Sequence, residues 1–224
     1  SLTKDTSSDS FIAKDNPARV YRDQVKKVFG LSDPFVIAVI NHGPTGVFNP
    51  ETLRLVQWLT DQVKKIPNVD PDGVVSLATE SNIVGTDDGM QVRKFFDPPP
   101  ATQAQANAIR AAIADFPLYQ GSLVARDSTA TLIVAEILDE IKSETTYNAF
   151  MALVKEAPQI PGVELHVAGE GAISGYLYNY IDRDATRLNP IVAIVITLVL
   201  FIAFRTVWGT LLPNVVVLGT VAAA

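Results

Sequence analysis

The chain has 224 residues, a formal net charge of −6 and no cysteine. All 24 Asp and Glu and 17 of the 18 Lys and Arg precede Leu188, so residues 1–187 carry a net −7. That balance speaks against nucleic acid and anionic lipid surfaces as partners, and the missing cysteine removes disulfides, thiolate chemistry and Cys-zinc sites.

Residues 1–15 are polar and read as extended. Asn16-Pro17 has the form of an N-cap followed by proline at the first helical position. Val20, Tyr21, Val25, Val28 and Phe29 share one face up to a stop at Gly30. The apolar run 35–40 predicts a strand, closed by Asn41-His42-Gly43-Pro44. Asn49-Pro50-Glu51 opens a helix expected over 50–66, with Leu55, Val56, Leu59, Val63 and Ile66 at helical spacing. A strand follows at 73–78.

Residues 80–121 interrupt this rhythm and read as an insertion. Asp87-Asp88-Gly89 predicts a turn, Pro98-Pro99-Pro100 a stiff extended piece, and 102–116 an Ala-rich helix closed by Pro117. Strands are then expected at 122–125 and 130–137 around a turn at 126–129. Ser143 is expected to cap a helix over 144–157. Val163–Val167 alternates as a half-buried strand, and Gly169 and Gly171 mark a turn into a last long helix. Without the insertion the order is strand, helix, strand, strand, helix, strand. The predicted fold class is therefore α+β, a ferredoxin-like split βαββαβ domain. Its two helices should lie on one sheet face, leaving the other bare. Strand positions of the Phe35 type that face away from the helices should then look unusually exposed, or be covered by the 101–116 or 17–29 helix.

From Leu188 to Phe204 the chain is apolar for about the length that crosses a hydrocarbon core of roughly 30 Å. Arg205-Thr206 and Trp208-Gly209 follow, then a second apolar run to Ala224. Within 191–204, Thr197 is the only polar side chain, and soluble cores seldom need two adjacent helices apolar on every face. The tail therefore predicts a transmembrane hairpin over 188–224, its second span truncated, after a linker and helix (1–30) and a folded domain (31–187). Both chain ends read as cut.

This organisation resembles the porter domain and the second and third spans of the resistance-nodulation-division (RND) superfamily, in its MMPL-type branch. Three stretches carry the resemblance: Asp9 to Gly30; Phe116-Pro117-Leu118-Tyr119-Gln120-Gly121 through Asp127; and Gly169 to Arg187 with Asn189-Pro190 and Phe204-Arg205 to Leu212-Pro213. The resemblance implies a multi-pass protein of the bacterial inner membrane with residues 1–187 periplasmic. It also implies a first span before Ser1, many spans beyond Ala224, and proton-driven export of lipids or other hydrophobic or amphipathic molecules. The implied partners are the bilayer, that substrate, a second porter domain and the remaining spans of the same protein, and further copies in a homo-oligomer. The intramembrane acidic relay of the family belongs to a later span. A membrane-anchored sensor or scaffold with a ferredoxin-like extracytoplasmic domain is the alternative.

No residue is assigned a catalytic, cofactor-binding or metal-binding role, and no cofactor is expected. His42 and His166 are the only histidines and stand in a turn and a strand without closely spaced ligands. Asp87-Asp88-Gly89 lacks the alternating acids and closing Glu of a calcium loop. Ser174 lies in Gly171-Ala172-Ile173-Ser174-Gly175, where Ala172 spoils the nucleophile-elbow pattern, so a hydrolase is rejected. Gly169-Glu170-Gly171 lacks the third glycine and the lysine of a phosphate loop. Asp182, Arg183, Asp184 and Arg187 read as a solvated helix end with local ion pairs rather than a collar coupling domain to span.

Overall fold

The computed structural model describes residues 13, 15–21, 24, 34–86, 89–116, 118–139 and 142–223. Residues 17–21 are helical, and the Asn16 side chain accepts from the Ala18 N–H at 2.9 Å, the expected cap. The rest of that helix, Gly30, the turn residues Asp87 and Asp88, and Pro117 lie outside the described residues. The described chain falls into two compact units that divide in sequence between Tyr176 and Leu177.

The first unit is built on β1 (Phe35–Asn41), α1 (Pro50–Val63), β2 (Val69–Val75), β3 (Ser81–Thr86), β4 (Gly89–Lys94), α2 (Gln103–Ala114), β5 (Ala130–Ile137), α3 (Ser143–Glu156), β6 (Val163–Ala168) and the first turns of α4 (Glu170–Phe204). Four strands form one sheet in the order β2-β5-β1-β6, with every neighbouring pair antiparallel. It follows that β1 and β2 run the same way with β5 between them.

Side chains alternate across the sheet. Phe35, Ile37 and Val39 are fully buried, whereas Val36, Ala38 and Ile40 are half-buried. Phe35 stacks on Phe150 of α3 with ring centroids 4.9 Å apart, and the Asn41 amide donates to Thr52 Oγ1 of α1 at 3.0 Å. Residues 35 and 41 point to the same side of a strand, so α1 and α3 cover one face. Phe35 itself therefore lies beneath the helices, and the less covered positions are its even-numbered neighbours. Opposite the helices stand half-buried Leu132 and Val134, Val75 at 38% exposure, and exposed Glu164 and His166. α2 packs with α1 instead: Gln103 donates to the Phe48 carbonyl at 2.8 Å, and Ala106, Ile109 and Ile113 join the core.

Local chemistry accounts for most boundaries. Asn49 accepts from the Thr52 N–H at 2.8 Å and Pro50 begins α1, while Thr102 and Gln105 make a reciprocal capping box on α2. α1 closes at Val63 rather than 66 and α2 at Ala114 rather than 116, and three further places differ more. β2 covers 69–75, not 73–78, with a bulge between Val69 and Val74 that absorbs Pro71; residues 76–79 form a turn closed by the Ser76 and Thr79 hydroxyls. Residues 122–125 form only single bridges, because Gly121 N–H turns back onto the Val124 carbonyl at 2.6 Å. Ser143 is the first residue of α3 rather than its cap. The insertion also contains a two-stranded ribbon, β3–β4, that sequence reading reduced to its turn.

Tyr119 ties that ribbon's base to the unit. Its ring stacks on Phe116 and meets Phe95 edge-on, and its hydroxyl donates to Glu80 Oε2 at 2.8 Å. Burial, then the Glu80 carboxylate, pushes the phenol from its ordinary value near 10 up to about 12. A raised value favours the protonated phenol in the folded state. Its contribution is fully present below pH 10 and is lost as pH rises through 12. Tyr119→Phe should be less stable at pH 8 yet show a flatter decline of thermal stability between pH 10 and 12; an unchanged alkaline slope would refute the coupling.

The second unit holds the remainder of α4 and α5 (Val207–Ala223), joined at Arg205, whose φ of 53° reverses the chain. α4 contains an 18-residue window of mean hydropathy 2.3, none of it buried within the protein. α5 is the shorter apolar helix.

Candidate functional site

The residues singled out in the sequence do not converge. His42 is exposed in the turn after β1, and His166 on β6 lies 3.1 Å from Glu164 of the same strand. Among the described residues no group of three or more His, Cys, Asp or Glu is placed to hold a metal. Gly169 makes the turn from β6 into α4 at φ +103°, and a Cβ there would lie 2.2 Å from the Pro34 carbonyl oxygen. Gly171-Ala172-Ile173-Ser174-Gly175 is helical packing surface: Gly171 faces the Phe35 ring and Gly175 the Tyr147 side chain. Asp182, Arg183 and Arg187 are exposed on α4, and Thr186 Oγ1 donates to the Asp182 carbonyl at 2.8 Å. In the turn before β5, Asp127 accepts from the Thr129 N–H and hydroxyl, at 3.0 and 2.7 Å, which holds its carboxyl below the usual range.

Two concave surfaces carry chemistry that sequence reading missed. In the first unit a cleft of about 490 Å³ runs between α1 and the segment 158–161, bordered by Glu51, Arg54, Leu55, Trp58, Ile160 and Pro161. A second hollow of about 400 Å³ shares Leu55, Pro158, Gln159 and Ile160 with it and reaches β6 at Glu164 and His166. The capped start of α1 sets Arg54 and Trp58 one turn apart, and the two prolines give that wall no N–H at positions 158 and 161. No local pattern flags this cleft, because its walls come from distant parts of the sequence.

In the second unit, α4 and α5 enclose about 530 Å³ lined by Thr197, Phe201, Thr210, Leu211, Pro213 and Asn214, among others. Thr197 Oγ1 lies 2.7 Å from the Ala193 carbonyl and 3.2 Å from Asn214 Oδ1, so one hydroxyl proton serves two acceptors. The Asn214 amide donates to the Thr210 carbonyl at 2.8 Å. Asn214 was legible in principle: an amide inside an apolar run is costly in lipid unless it finds a partner.

An α+β unit is followed by one unburied helix long and apolar enough to cross a membrane and by a shorter apolar one, an organisation that fits a membrane protein. A family model, that of the MMPL family, matches residues 49–224. The chain belongs to the MMPL family, whose members are transporters, and it is part of a membrane exporter of the RND/MMPL type. No curated protein matches it.

Proposed function

We propose that this chain is the periplasmic porter domain and the following hairpin of a multi-pass, proton-driven exporter in a bacterial inner membrane. Its cargo is a lipid or another hydrophobic or amphipathic molecule. The domain is read as ferredoxin-like, over 31–187, and 188–224 as a pair of spans. A second porter domain and further spans of the same protein, and further copies, are its partners. The observation that carries the reading is the match over 49–224, which takes in the folded unit after β1 and the apolar helices. The strand order β2-β5-β1-β6, with α1 and α3 on one face, supports the split βαβ assignment. Among the described residues no helix is seen on the second face, whose half-buried apolar side chains suit a domain that meets another like itself.

The test uses the full-length protein in cells. A phosphatase reporter inserted in the β3–β4 turn should be active in the periplasm, and one at Arg205-Thr206 inactive. Extrusion of a lipophilic dye should rise with expression and stop on adding a protonophore. Inverted reporters would overturn the export direction, and dye levels indifferent to expression would favour a sensor or scaffold.

A further inference from the structure

We propose that the cleft between α1 and segment 158–161 is a binding site for a single-chain amphiphile with an anionic head, its chain lying on Leu55, Trp58 and Ile160 and its head on Arg54. The apolar side is plain in the packing. Leu55 is 3% exposed, and Trp58 and Ile160 are partly buried against the core. Pro158 and Pro161 lack the N–H groups that a hydrocarbon chain would leave unsatisfied. The cleft has a volume of about 490 Å³, and a neighbouring hollow of about 400 Å³ shares Leu55, Pro158, Gln159 and Ile160 with it. Each is in the range of small-molecule clefts.

Charge decides which head group fits. Glu51 and Arg54 border the cleft, and the neighbouring hollow touches Glu164 and His166 on β6, whose side chains alternate to the other sheet face. Glu164 is engaged by His166 at 3.1 Å. Glu51 occupies the first turn of α1, where the helix N-terminal N–H groups offset a negative charge. Arg54 is exposed and, among the described residues, makes no ion pair or hydrogen bond, so its planar fork of donors is open to a carboxylate. One turn further along, Trp58 offers the flat apolar surface that the first methylenes of a chain would cover. As a holding place for cargo the site rests on the exporter reading above. Binding is measured at equilibrium without transport, so the two can fail separately.

The chain has two tryptophans, and Trp208→Phe leaves Trp58 as the sole indole. The full chain carrying that change, in lipid nanodiscs, would be titrated with dibromostearate and with a chain-matched dibrominated primary amine, since bromine quenches indole only at contact. The acid should quench Trp58 saturably, with the amine at least about tenfold weaker, and Arg54→Gln should weaken the acid about tenfold while leaving the amine unchanged. Arg54→Lys should restore part of the loss, whereas an effect of Arg54→Gln through folding alone would weaken both probes together. Non-saturating quenching, equal quenching by both probes, or indifference to Arg54→Gln would overturn the site.

Discussion

Gly169→Ala is expected to destabilise the folded unit by about 3 kcal/mol or more, lowering its melting temperature by roughly 6–12 °C. Two independent costs coincide at this position. The backbone sits at φ +103°, where an L side chain is strained, and the new Cβ would fall 2.2 Å from the Pro34 carbonyl oxygen and 3.4 Å from the Phe35 Cα. These neighbours are backbone atoms of the strand at the centre of the packing, so they cannot swing aside as a side-chain end could. Gly162 supplies the control. It also has a positive φ, +78°, but nothing lies within 4 Å of its added Cβ. Gly162→Ala should therefore cost only the conformational term, about 1 kcal/mol. Thermal unfolding followed by Trp58 fluorescence separates the two variants; equal shifts would show that the close approach of β6 to β1 at Pro34 is wrong.

Phe150→Ala is expected to cost about 3–5 kcal/mol, enough to unfold a marginal domain at physiological temperature. Phe150 and Phe35 are both fully buried and stacked at 4.9 Å, joining α3 to the central strand. Truncation removes the transfer energy of a benzyl group and leaves a hole against Phe35, which cannot collapse without moving the sheet. Phe150→Leu keeps most of the volume and should cost under about 1.5 kcal/mol. Near-ultraviolet circular dichroism should show lost aromatic packing in the alanine variant alone, while helix content from the apolar helices α4 and α5 persists. A cost below 1 kcal/mol for alanine would mean that the stack does not hold the unit together.

Much of this arrangement was readable wherever local chemistry and tertiary burial agree. The run Phe35–Ile40, the cap at Asn49-Pro50, the Thr102 start of α2 and the reversal at Arg205 each carry their instruction within a few residues. β2 was misplaced because its pairing begins at Val69, on an edge where the ladder skips Asp70-Pro71-Asp72-Gly73; hydrophobic continuity pointed instead to Val74 through Ala78. Leu77 and Ala78 are buried, but in a turn rather than a strand. The β3–β4 ribbon escaped notice because Ile83, Met90 and Val92 are exposed, so its alternation does not divide into an inner and an outer face. The cleft at Arg54 and Trp58 was invisible for another reason: only the approach of segment 158–161 to α1 makes those side chains a site.

The gap in β2 has a bearing on how newly made copies of the chain keep apart. β2 and β6 are the outer strands of the sheet, and an outer strand offers unpaired backbone groups to any passing chain. At β2 an incoming strand would meet a proline without an N–H, two aspartates and a backbone out of step with a regular ladder. At β6 it would meet exposed Glu164 and His166. Both borders thus discourage fibril-like stacking of newly made copies, and the sheet is steered away from edge-to-edge pairing by its own backbone and charges.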